Sequence, residues 1–267
     1  MTAQRLRRAM IGVAVGIGLA YAVLLAGLYS AQGSLIYPAP LQFAPVPEGY
    51  QRITFQTADG LTLTALFRPA ERGRRTIVFF HGNGDGWDGA AAANRLIAQA
   101  GYGVLLAEYR GYGANPGTPG EQGFYADGRA ALAWLAQHGV AARDAVIVGN
   151  SIGSGTAVQL ATEQPTAGLI LISGFTRLSD VAAAKLPWVP ARLLLRDRYD
   201  NRAKLGQIKA PILLLHGAAD RLIPVAQARQ LQAANPAARL VIVPGFGHEL
   251  AYQPAAQQIE LEWLDRL

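Results

Sequence analysis

One serine, with a glycine two positions before it and another two positions after it, has the type and spacing that suit nucleophilic catalysis. The segment GNSIG at 149–153 fits the pattern G-x-S-x-G, in which a sharp turn between a buried strand and a helix presents the serine hydroxyl. A neutral hydroxyl is a poor nucleophile, so a base has to take its proton as it attacks a carbonyl carbon. The pattern therefore predicts acyl transfer through Ser151.

The base is expected among four histidines, and one of them stands where that role requires. His248 ends the segment PGFGH at 244–248, between the last predicted strand and the last predicted helix. When this serine motif is part of a triad, an acid follows it in the chain and the histidine comes last. His81 and His216 each follow a strand directly, which favours a structural role, and His138 ends a predicted helix. His248 is the predicted base.

The acid is expected in the loop after the preceding strand, where the segment HGAAD at 216–220 supplies Asp220. Its carboxylate would hold the imidazole in the tautomer that accepts the serine proton and would stabilise the imidazolium. Three other aspartates, Asp180, Asp197 and Asp200, are weaker alternatives because they lie in an insertion and are expected at the surface.

Two backbone N–H groups are predicted to bind the oxyanion that acyl transfer creates. One belongs to Ile152, directly after the serine, and the other to the segment HGNG at 81–84, with Asn83 preferred. Losing one such donor typically costs about 3 to 4 kcal/mol. The alternative for HGNG is a flexible connector, but its position after a strand favours the oxyanion role. Such a site needs no metal and no organic cofactor.

Short apolar runs alternate with alanine-rich stretches after residue 74, which predicts an α/β fold. The expected strands are 76–80, 104–109, 145–149, 168–172, 211–215 and 239–243, and the expected helices are 88–100, 121–138, 152–163, 224–234 and 254–266. Strands that are apolar throughout are typical of a parallel sheet covered by helices on both faces. The predicted architecture is a mostly parallel, doubly wound sheet.

Two further segments modify this sheet. The alternating runs at 52–57 and 61–67 flank Ala58-Asp59-Gly60, which predicts an antiparallel N-terminal hairpin. Later, the connection over about 174–207 is longer than a crossover needs and is predicted to form a short lid. Ligands of open α/β sheets bind beyond the carboxyl ends of the strands, where this lid would emerge.

The N-terminal segment is long and apolar enough to cross a membrane as one helix. Residues 9–29 carry no charge, and about 20 apolar residues span the hydrocarbon core. Arg5, Arg7 and Arg8 precede this run and no basic residue follows until Arg52. The positive-inside rule then predicts a single-pass inner-membrane protein with a cytoplasmic N-terminus and a periplasmic catalytic domain. A cleavable signal peptide is the alternative, although its apolar region usually has only about 7 to 15 residues.

The chain is thus expected to have three parts: a membrane anchor (1–30), a linker (31–49) and a catalytic domain (50–267). The linker has four prolines between positions 37 and 47. Proline fixes φ and has no N–H, so this part is predicted to be extended.

The net charge of +6 is unevenly distributed and gives little support to nucleic-acid binding. The stretch 181–210 has seven basic and two acidic residues. A nucleic-acid site would need basic residues interleaved with stacking aromatics or a reading helix, a pattern that is not evident here. The basic stretch is predicted either to lie against anionic headgroups or acidic amphiphiles, or to be a solvated surface. The absence of cysteine excludes disulfides and a thiolate nucleophile.

Several motifs follow one another in a fixed order. They are HGNG at 81–84, EYRGYG at 108–113 with PGTPG at 116–120, GNSIG at 149–153, HGAAD at 216–220 and GFGH at 245–248. Over about residues 50–267 the chain resembles the α/β-hydrolase family, particularly its serine-aminopeptidase-like branch, and an ordered set is more specific than one motif. The resemblance implies the same triad and the same oxyanion donors, in proteins that are hydrolases or peptidase-like and often membrane-anchored. Glu108 and Asn115 depart from the usual aspartate and serine.

The predicted function is hydrolysis of an ester, thioester or amide through an acyl-serine intermediate, with a small-molecule or lipid-like carboxylic ester favoured. A peptidase of the same fold is one alternative, although no pocket for a peptide terminus is evident. A binding protein without activity is another, because one fold hosts many functions. A dehalogenase is not expected, since that chemistry needs a carboxylate where Ser151 stands.

Overall fold

Strands and helices alternate along residues 3–267, the part of the chain that the computed structural model describes. The strands are β1 (Gln51–Gln56), β2 (Thr62–Arg68), β3 (Thr76–Phe80), β4 (Gly103–Ala107), β5 (Ala145–Asn150), β6 (Gly168–Ile172), β7 (Ile212–Gly217) and β8 (Arg239–Val243). The helices are α1 (Ala3–Ile36), α2 (Trp87–Ala93), α3 (Arg95–Gln99), α4 (Glu121–Gln137), α5 (Gly153–Glu163), α6 (Leu178–Lys185), α7 (Ala191–Leu194), α8 (Asn201–Leu205), α9 (Ala226–Ala234) and α10 (Pro254–Leu264). Short 3₁₀ turns lie at Ala142–Asp144 and His248–Tyr252.

The strands form one sheet in the order β1-β2-β4-β3-β5-β6-β7-β8. Strand β2 is antiparallel to both β1 and β4, and the remaining neighbours are parallel. The chain leaves β3 toward β4 and returns to β5 on the other side, which creates a switch point between β3 and β5. The predicted mostly parallel sheet with an antiparallel N-terminal hairpin is confirmed.

The central strands are buried along their whole length because helices cover both faces of the sheet. Successive side chains of β3 alternate between two apolar clusters: Val78 and Phe80 belong to one, and Ile77 and Phe79 to the other. Helices α4, α5 and α9 contribute to the first cluster, and α2, α3 and α10 contribute to the second. Apolar residues at every strand position are therefore required by the two-sided packing.

One predicted helix is in fact two. The expected helix over 88–100 breaks at Asn94, which separates α2 from α3. The buried amide of Asn94 donates to the Ala90 carbonyl oxygen over 2.8 Å, a local bond that competes with regular helical geometry. Beyond the break, the Leu96 N–H donates to Gln257 of α10 over 2.9 Å. The break thus serves packing against a distant helix.

Helix α1 is a candidate membrane anchor or signal sequence by its length and composition. It continues to Ile36, six residues past the predicted end of the anchor, so the first part of the predicted linker is helical. It stops just before Tyr37-Pro38, because a residue that precedes proline is disfavoured in the α region. Tyr37 itself is buried in the apolar core, so the predicted linker also contributes to the packing of the domain.

The predicted lid, 174–207, contains three short helices, α6 to α8. Its middle part lies against α1, where the Tyr21 hydroxyl donates to the Trp188 carbonyl oxygen over 2.6 Å. Nearer the end of α1, Gln32 Oε1 accepts from the Arg196 N–H over 2.9 Å. Helix α1 and the predicted lid are therefore in direct contact.

Candidate active site

Ser151 occupies a tight turn between β5 and α5. Its φ is 52°, in the left-handed region that side-chain-bearing residues rarely adopt. The flanking glycines are required by close contacts. A Cβ on Gly149 would lie 2.6 Å from the Gly153 carbonyl oxygen, and a Cβ on Gly153 would lie 2.1 Å from the Phe80 carbonyl oxygen. The G-x-S-x-G spacing is thus explained by backbone packing around the serine.

The structure brings Ser151, His248 and Asp220 together from three different loops. His248 Nε2 lies 3.0 Å from Ser151 Oγ, and His248 Nδ1 lies 2.8 Å from Asp220 Oδ2. With Nδ1 protonated, the imidazole donates to the carboxylate and accepts from the serine hydroxyl, which is the tautomer that a general base needs.

Contacts between the loops after β7 and β8 fix the distance from Asp220 to His248. A Cβ on Gly217 would lie 2.4 Å from the carbonyl oxygens of Phe246 and Gly247. The Ala219 N–H donates to the Phe246 carbonyl oxygen over 2.9 Å. Only glycine at position 217 permits this approach.

Asp220 is held ionised by hydrogen bonds although it is buried. Burial alone would raise its pKa, but the hydrogen bond with His248 and the N–H of Ile223 outweigh this effect and lower it. Asp220 Oδ1 accepts from the N–H groups of Leu222 and Ile223 over 2.9 and 2.8 Å. The carboxylate is therefore fixed in orientation and keeps its charge at neutral pH.

The two predicted oxyanion donors belong to segments that adjoin Ser151. Ile152 precedes the first turn of α5, where N–H groups have no carbonyl partner within the helix. The segment 81–84 follows β3, and a Cβ on Gly82 would lie 3.6 Å from Ser151 Cβ, which brings this loop against the serine. The Asn83 side chain is turned away, since its Oδ1 accepts from the Tyr112 hydroxyl over 3.2 Å. The available donor at Asn83 is thus its backbone N–H.

His81 is part of a buried ion pair whose partner the sequence analysis did not identify. Its Nε2 lies 2.7 Å from Glu108 Oε1 and its Nδ1 lies 2.8 Å from the Gly82 carbonyl oxygen. Burial opposes a charge on the imidazole, but the Glu108 carboxylate outweighs burial and raises the pKa of His81. Glu108 Oε2 also accepts from the Trp87 N–H over 3.0 Å. The glutamate thus links β4 to the loop that carries Asn83.

Asn115, the second departure from the family pattern, hydrogen-bonds to the backbone of β2. Its Oδ1 accepts from the Thr64 N–H over 2.7 Å, and its Nδ2 donates to the Thr64 carbonyl oxygen over 3.0 Å. These bonds satisfy β2 backbone groups beyond the three residue pairs that β2 forms with β4. An amide donates and accepts through two separate atoms, whereas a serine hydroxyl has a single oxygen for both bonds.

Of the other candidates, His216 borders this cluster, with its Nε2 3.5 Å from Asp220 Oδ2, whereas Asp180 and Asp197 pair with other residues. His216 Nε2 donates to the Ile223 carbonyl oxygen over 2.7 Å, and burial lowers the pKa of its imidazole. Asp180 pairs with Arg192 over 2.7 Å, and Asp197 accepts from the Tyr37 hydroxyl over the same distance. Within residues 3–267, no three histidine, cysteine, aspartate or glutamate side chains converge as metal ligands would.

Comparisons with known proteins agree with this architecture. The model of the family described as Hydrolase_4, serine aminopeptidase S33, matches residues 71–199 and 191–255. Protein Rv2307c of Mycobacterium tuberculosis is 38% identical over 230 residues, which cover 83% of this chain and 82% of that protein.

Solved structures share the fold at low sequence identity. The esterase Pf2001 of Pyrococcus furiosus superposes with a TM-score of 0.69 at 18% identity, covering 85% of this chain and 96% of that one. A bacterial membrane phospholipase A superposes with a TM-score of 0.62 at 18% identity, covering 99% of both chains. The second alignment therefore extends over the N-terminal helix.

Proposed function

The chain belongs to the serine aminopeptidase S33 family of α/β hydrolases, and on that premise we propose that it is a membrane-anchored serine hydrolase acting on carboxylic esters. The observation that carries the proposal is the series of hydrogen bonds from Ser151 Oγ to His248 Nε2 (3.0 Å) and from His248 Nδ1 to Asp220 (2.8 Å). The strained backbone of Ser151 adds support, because such strain collects at functional sites.

In the proposed acylation, Ser151 Oγ attacks the ester carbonyl carbon while His248 Nε2 takes the hydroxyl proton. The carbonyl oxygen becomes an oxyanion that the backbone N–H groups of Ile152 and Asn83 bind. The tetrahedral intermediate then collapses: the bond to the alkoxy group breaks, and the imidazolium gives its proton to the departing alcohol. Asp220 stabilises the imidazolium while it exists.

Deacylation repeats these steps with water as the nucleophile. His248 Nε2 takes a proton from the water as its oxygen attacks the acyl carbon, and the proton then passes to Ser151 Oγ as the acyl–serine bond breaks. The carboxylic acid leaves and the serine hydroxyl is restored. All proton transfers run through one ring nitrogen, and no group outside this chain and water is needed.

A lipid-like ester is the proposed substrate class. An enzyme held at a bilayer meets amphiphiles at high local concentration, and the candidate anchor α1 contacts the lid directly. The esterase and membrane phospholipase descriptions of the structural neighbours support the same class. Thioesters and amides are tested as competing substrates by measuring kcat/KM across acyl chain lengths for each bond type.

The proposed arrangement in the cell is a single-pass protein of the inner membrane. The N-terminus with Arg5, Arg7 and Arg8 lies in the cytoplasm, and the catalytic domain, about residues 50–267, lies on the other side. Helix α1 is proposed to remain attached as an anchor, because its continuation into Tyr37 is part of the packed core.

Labelling with a fluorophosphonate probe tests the serine mechanism. The full-length chain in detergent is expected to be labelled, and Ser151→Ala and His248→Ala are expected to lose the label. His138→Ala is the matched control, because His138 is exposed at the end of α4 and should leave labelling intact. A folded wild-type chain that resists the probe would contradict the proposal and favour a binding protein.

A further inference from the structure

An apolar cavity lies between the membrane helix and the lid. Its volume is about 230 Å³, and its lining includes Leu28 and Leu35 of α1 and Leu186, Val189 and Leu195 of the lid. Whole small ligands usually occupy roughly 300–1,000 Å³. The cavity therefore has the size and character for part of one hydrocarbon chain.

Two side chains of the lining carry polar atoms, Gln32 and the exposed Tyr29, and the buried one is satisfied by the protein. Gln32 is buried, its Nε2 donates to the Tyr29 carbonyl oxygen over 2.8 Å, and its Oε1 accepts from the Arg196 N–H over 2.9 Å. A polar group beside Gln32 and the aliphatic lining would lose its hydrogen bonds to water without replacement, so this part of the cavity favours an occupant without polar atoms.

The lid reaches along α1 to a depth inside the charge-free run 9–29. Arg196 donates to the Tyr29 carbonyl oxygen over 3.0 Å, whereas Trp188 accepts from Tyr21. Tyr21 and Tyr29 are separated by about 12 Å along a helix with a rise of 1.5 Å per residue. If α1 spans the bilayer, this part of the lid lies within the adjoining leaflet.

The surface of the same part of the lid is apolar. Leu193 is 80% exposed, Trp188 is 50% exposed and Leu186 is 39% exposed. Neighbouring large apolar side chains are costly in water and are typical of membrane contact sites. Arg196 lies at the edge of this surface, where a long cationic side chain can reach lipid phosphates, and Arg192 within it is paired with Asp180.

We propose that residues 186–195, the lid tip, are immersed in the leaflet beside α1, and that the cavity between them binds an acyl chain of a membrane phospholipid. The inference rests on the proposed anchoring of α1. It assigns to the lid a lipid-binding role distinct from the chemistry at Ser151.

Photo-crosslinking of the full-length chain in phospholipid nanodiscs tests the cavity. The probe is a phosphatidylglycerol that carries a diazirine on one acyl chain, and labelled peptides are mapped by mass spectrometry. We expect label on the lid tip and on 28–36, besides label on 9–24 from the surrounding bilayer. Ala182→Phe fills the cavity and should lower the label on the buried cavity residue Val189 at least fivefold, while the exposed Leu193 stays labelled by the surrounding leaflet. Ala184→Phe, exposed on the same helix, should leave the label on Val189 unchanged.

The depth of the lid tip is measured by tryptophan quenching with brominated phospholipids. Trp87 and Trp263 are buried in the domain and Trp134 is half-buried, whereas Trp188 is exposed. Quenching is expected in the wild-type chain and should be largely lost in Trp188→Phe. Equal quenching in both would overturn the immersion of the lid.

The possible outcomes separate this inference from the proposed anchoring. Label on 9–24 without label on the lid tip would refute the cavity while leaving the anchor intact. Absence of label from both regions would refute the anchor as well. Label on the lid tip from a diazirine fatty acid, but not from the phospholipid, would show that a free fatty acid and not a membrane phospholipid occupies the cavity. Protein crosslinks between two lid tips in place of lipid label would assign the surface to a second copy of the chain.

Discussion

The ring of Tyr199 fills the space that a side chain at Gly155 would need. A Cβ on Gly155 would lie 2.1 Å from Tyr199 Cδ1. Tyr199 is fully buried and has a φ of 44°, while Gly155 lies in the first turn of α5, just after Ser151. The end of the lid is therefore packed against the helix that directly follows the candidate nucleophile.

Gly155→Ala is expected to destabilise the protein by about 1 to 3 kcal/mol, because the added methyl group overpacks the contact with Tyr199. The turnover of an ester substrate should fall as well, since α5 must shift next to Ser151. Thermal unfolding in detergent measures the cost. In a Tyr199→Ala background the same substitution should cost much less, and a cost that stays the same would show that Tyr199 is not the obstacle.

Asp220→Asn is expected to lower kcat by roughly 10³- to 10⁴-fold, because an amide N–H facing His248 Nδ1 favours the wrong tautomer. The amide oxygen can still accept from the N–H groups of Leu222 and Ile223, so the fold should be retained. Steady-state kinetics with a short-chain ester, beside the exposed control Asp144→Asn, measures the effect. A variant with more than a tenth of the wild-type kcat would remove Asp220 from the proposed mechanism.

Glu260 is expected to make the protein less stable as the pH rises. Burial raises the pKa of its carboxyl from 4.5 to about 8, and its Oε1 has no hydrogen-bond partner. Between these two values the folded state keeps a proton that the unfolded state has released, so stability falls as pH increases through this window. Above pH 8 the loss in the free energy of unfolding is complete. It amounts to at most roughly 5 kcal/mol, at about 1.4 kcal/mol per pKa unit.

Glu260→Gln should therefore raise the melting temperature at pH 8 to 9 and change it little near pH 5. Melting curves across this range measure the difference from the wild-type chain. Glu262→Gln is the matched control, because Glu262 is exposed on the same helix. Parallel curves for Glu260→Gln and the wild-type chain at all pH values would contradict the prediction.

Tyr37→Phe is expected to loosen the attachment of the lid and to cost about 1 to 3 kcal/mol, since the partly buried Asp197 carboxylate and the buried Tyr199 hydroxyl lose a hydrogen-bond partner. The Tyr37 hydroxyl lies 2.7 Å from Asp197 Oδ2 and 3.0 Å from the Tyr199 hydroxyl. Limited proteolysis between residues 186 and 200 should accelerate. The exposed Tyr29→Phe should be cleaved as slowly as the wild-type chain. Equal cleavage rates of Tyr37→Phe and Tyr29→Phe would show that the Tyr37 hydroxyl does not hold the lid in place.

Single cysteines report the orientation in the membrane, because the chain has none of its own. In intact bacterial cells whose outer membrane has been made permeable, Ser34→Cys is expected to react with a membrane-impermeant maleimide. Gln4→Cys should react only after the inner membrane is opened. The apparent mass should match the uncleaved chain. The reverse reactivity would invert the proposed topology, and a shortened product would identify a signal peptide.

Most of the sheet could be predicted from local pattern. The apolar runs that became β3, β5, β6 and β8 match their predicted bounds within one residue, because two-sided burial demands apolar residues throughout. The candidate triad could also be chosen from the sequence, since Ser151, Asp220 and His248 each follow a strand in the required order. Whether they act as predicted is for the labelling experiment to decide.

Features that depend on distant contacts could not be predicted in this way. The break at Asn94 reflects packing against Gln257, more than 160 residues away. The contact of Tyr21 with Trp188 joins segments that are 167 positions apart. Neither leaves a periodic signal, because periodicity records which face of an element is buried but not what covers it.

The passage of α1 into Tyr37 without a flexible joint has a kinetic consequence. A domain on a loose tether would tumble above the bilayer and meet solutes from all directions. In the proposed anchored protein, the hydrogen bonds of Tyr37 and the contact between Tyr21 and Trp188 restrict the rotation of the domain to that of α1 in the leaflet. Encounters with an ester in the membrane then depend on lateral diffusion. The relevant concentration is the number of molecules per unit area of bilayer, so turnover should follow surface dilution of the ester rather than its bulk molarity.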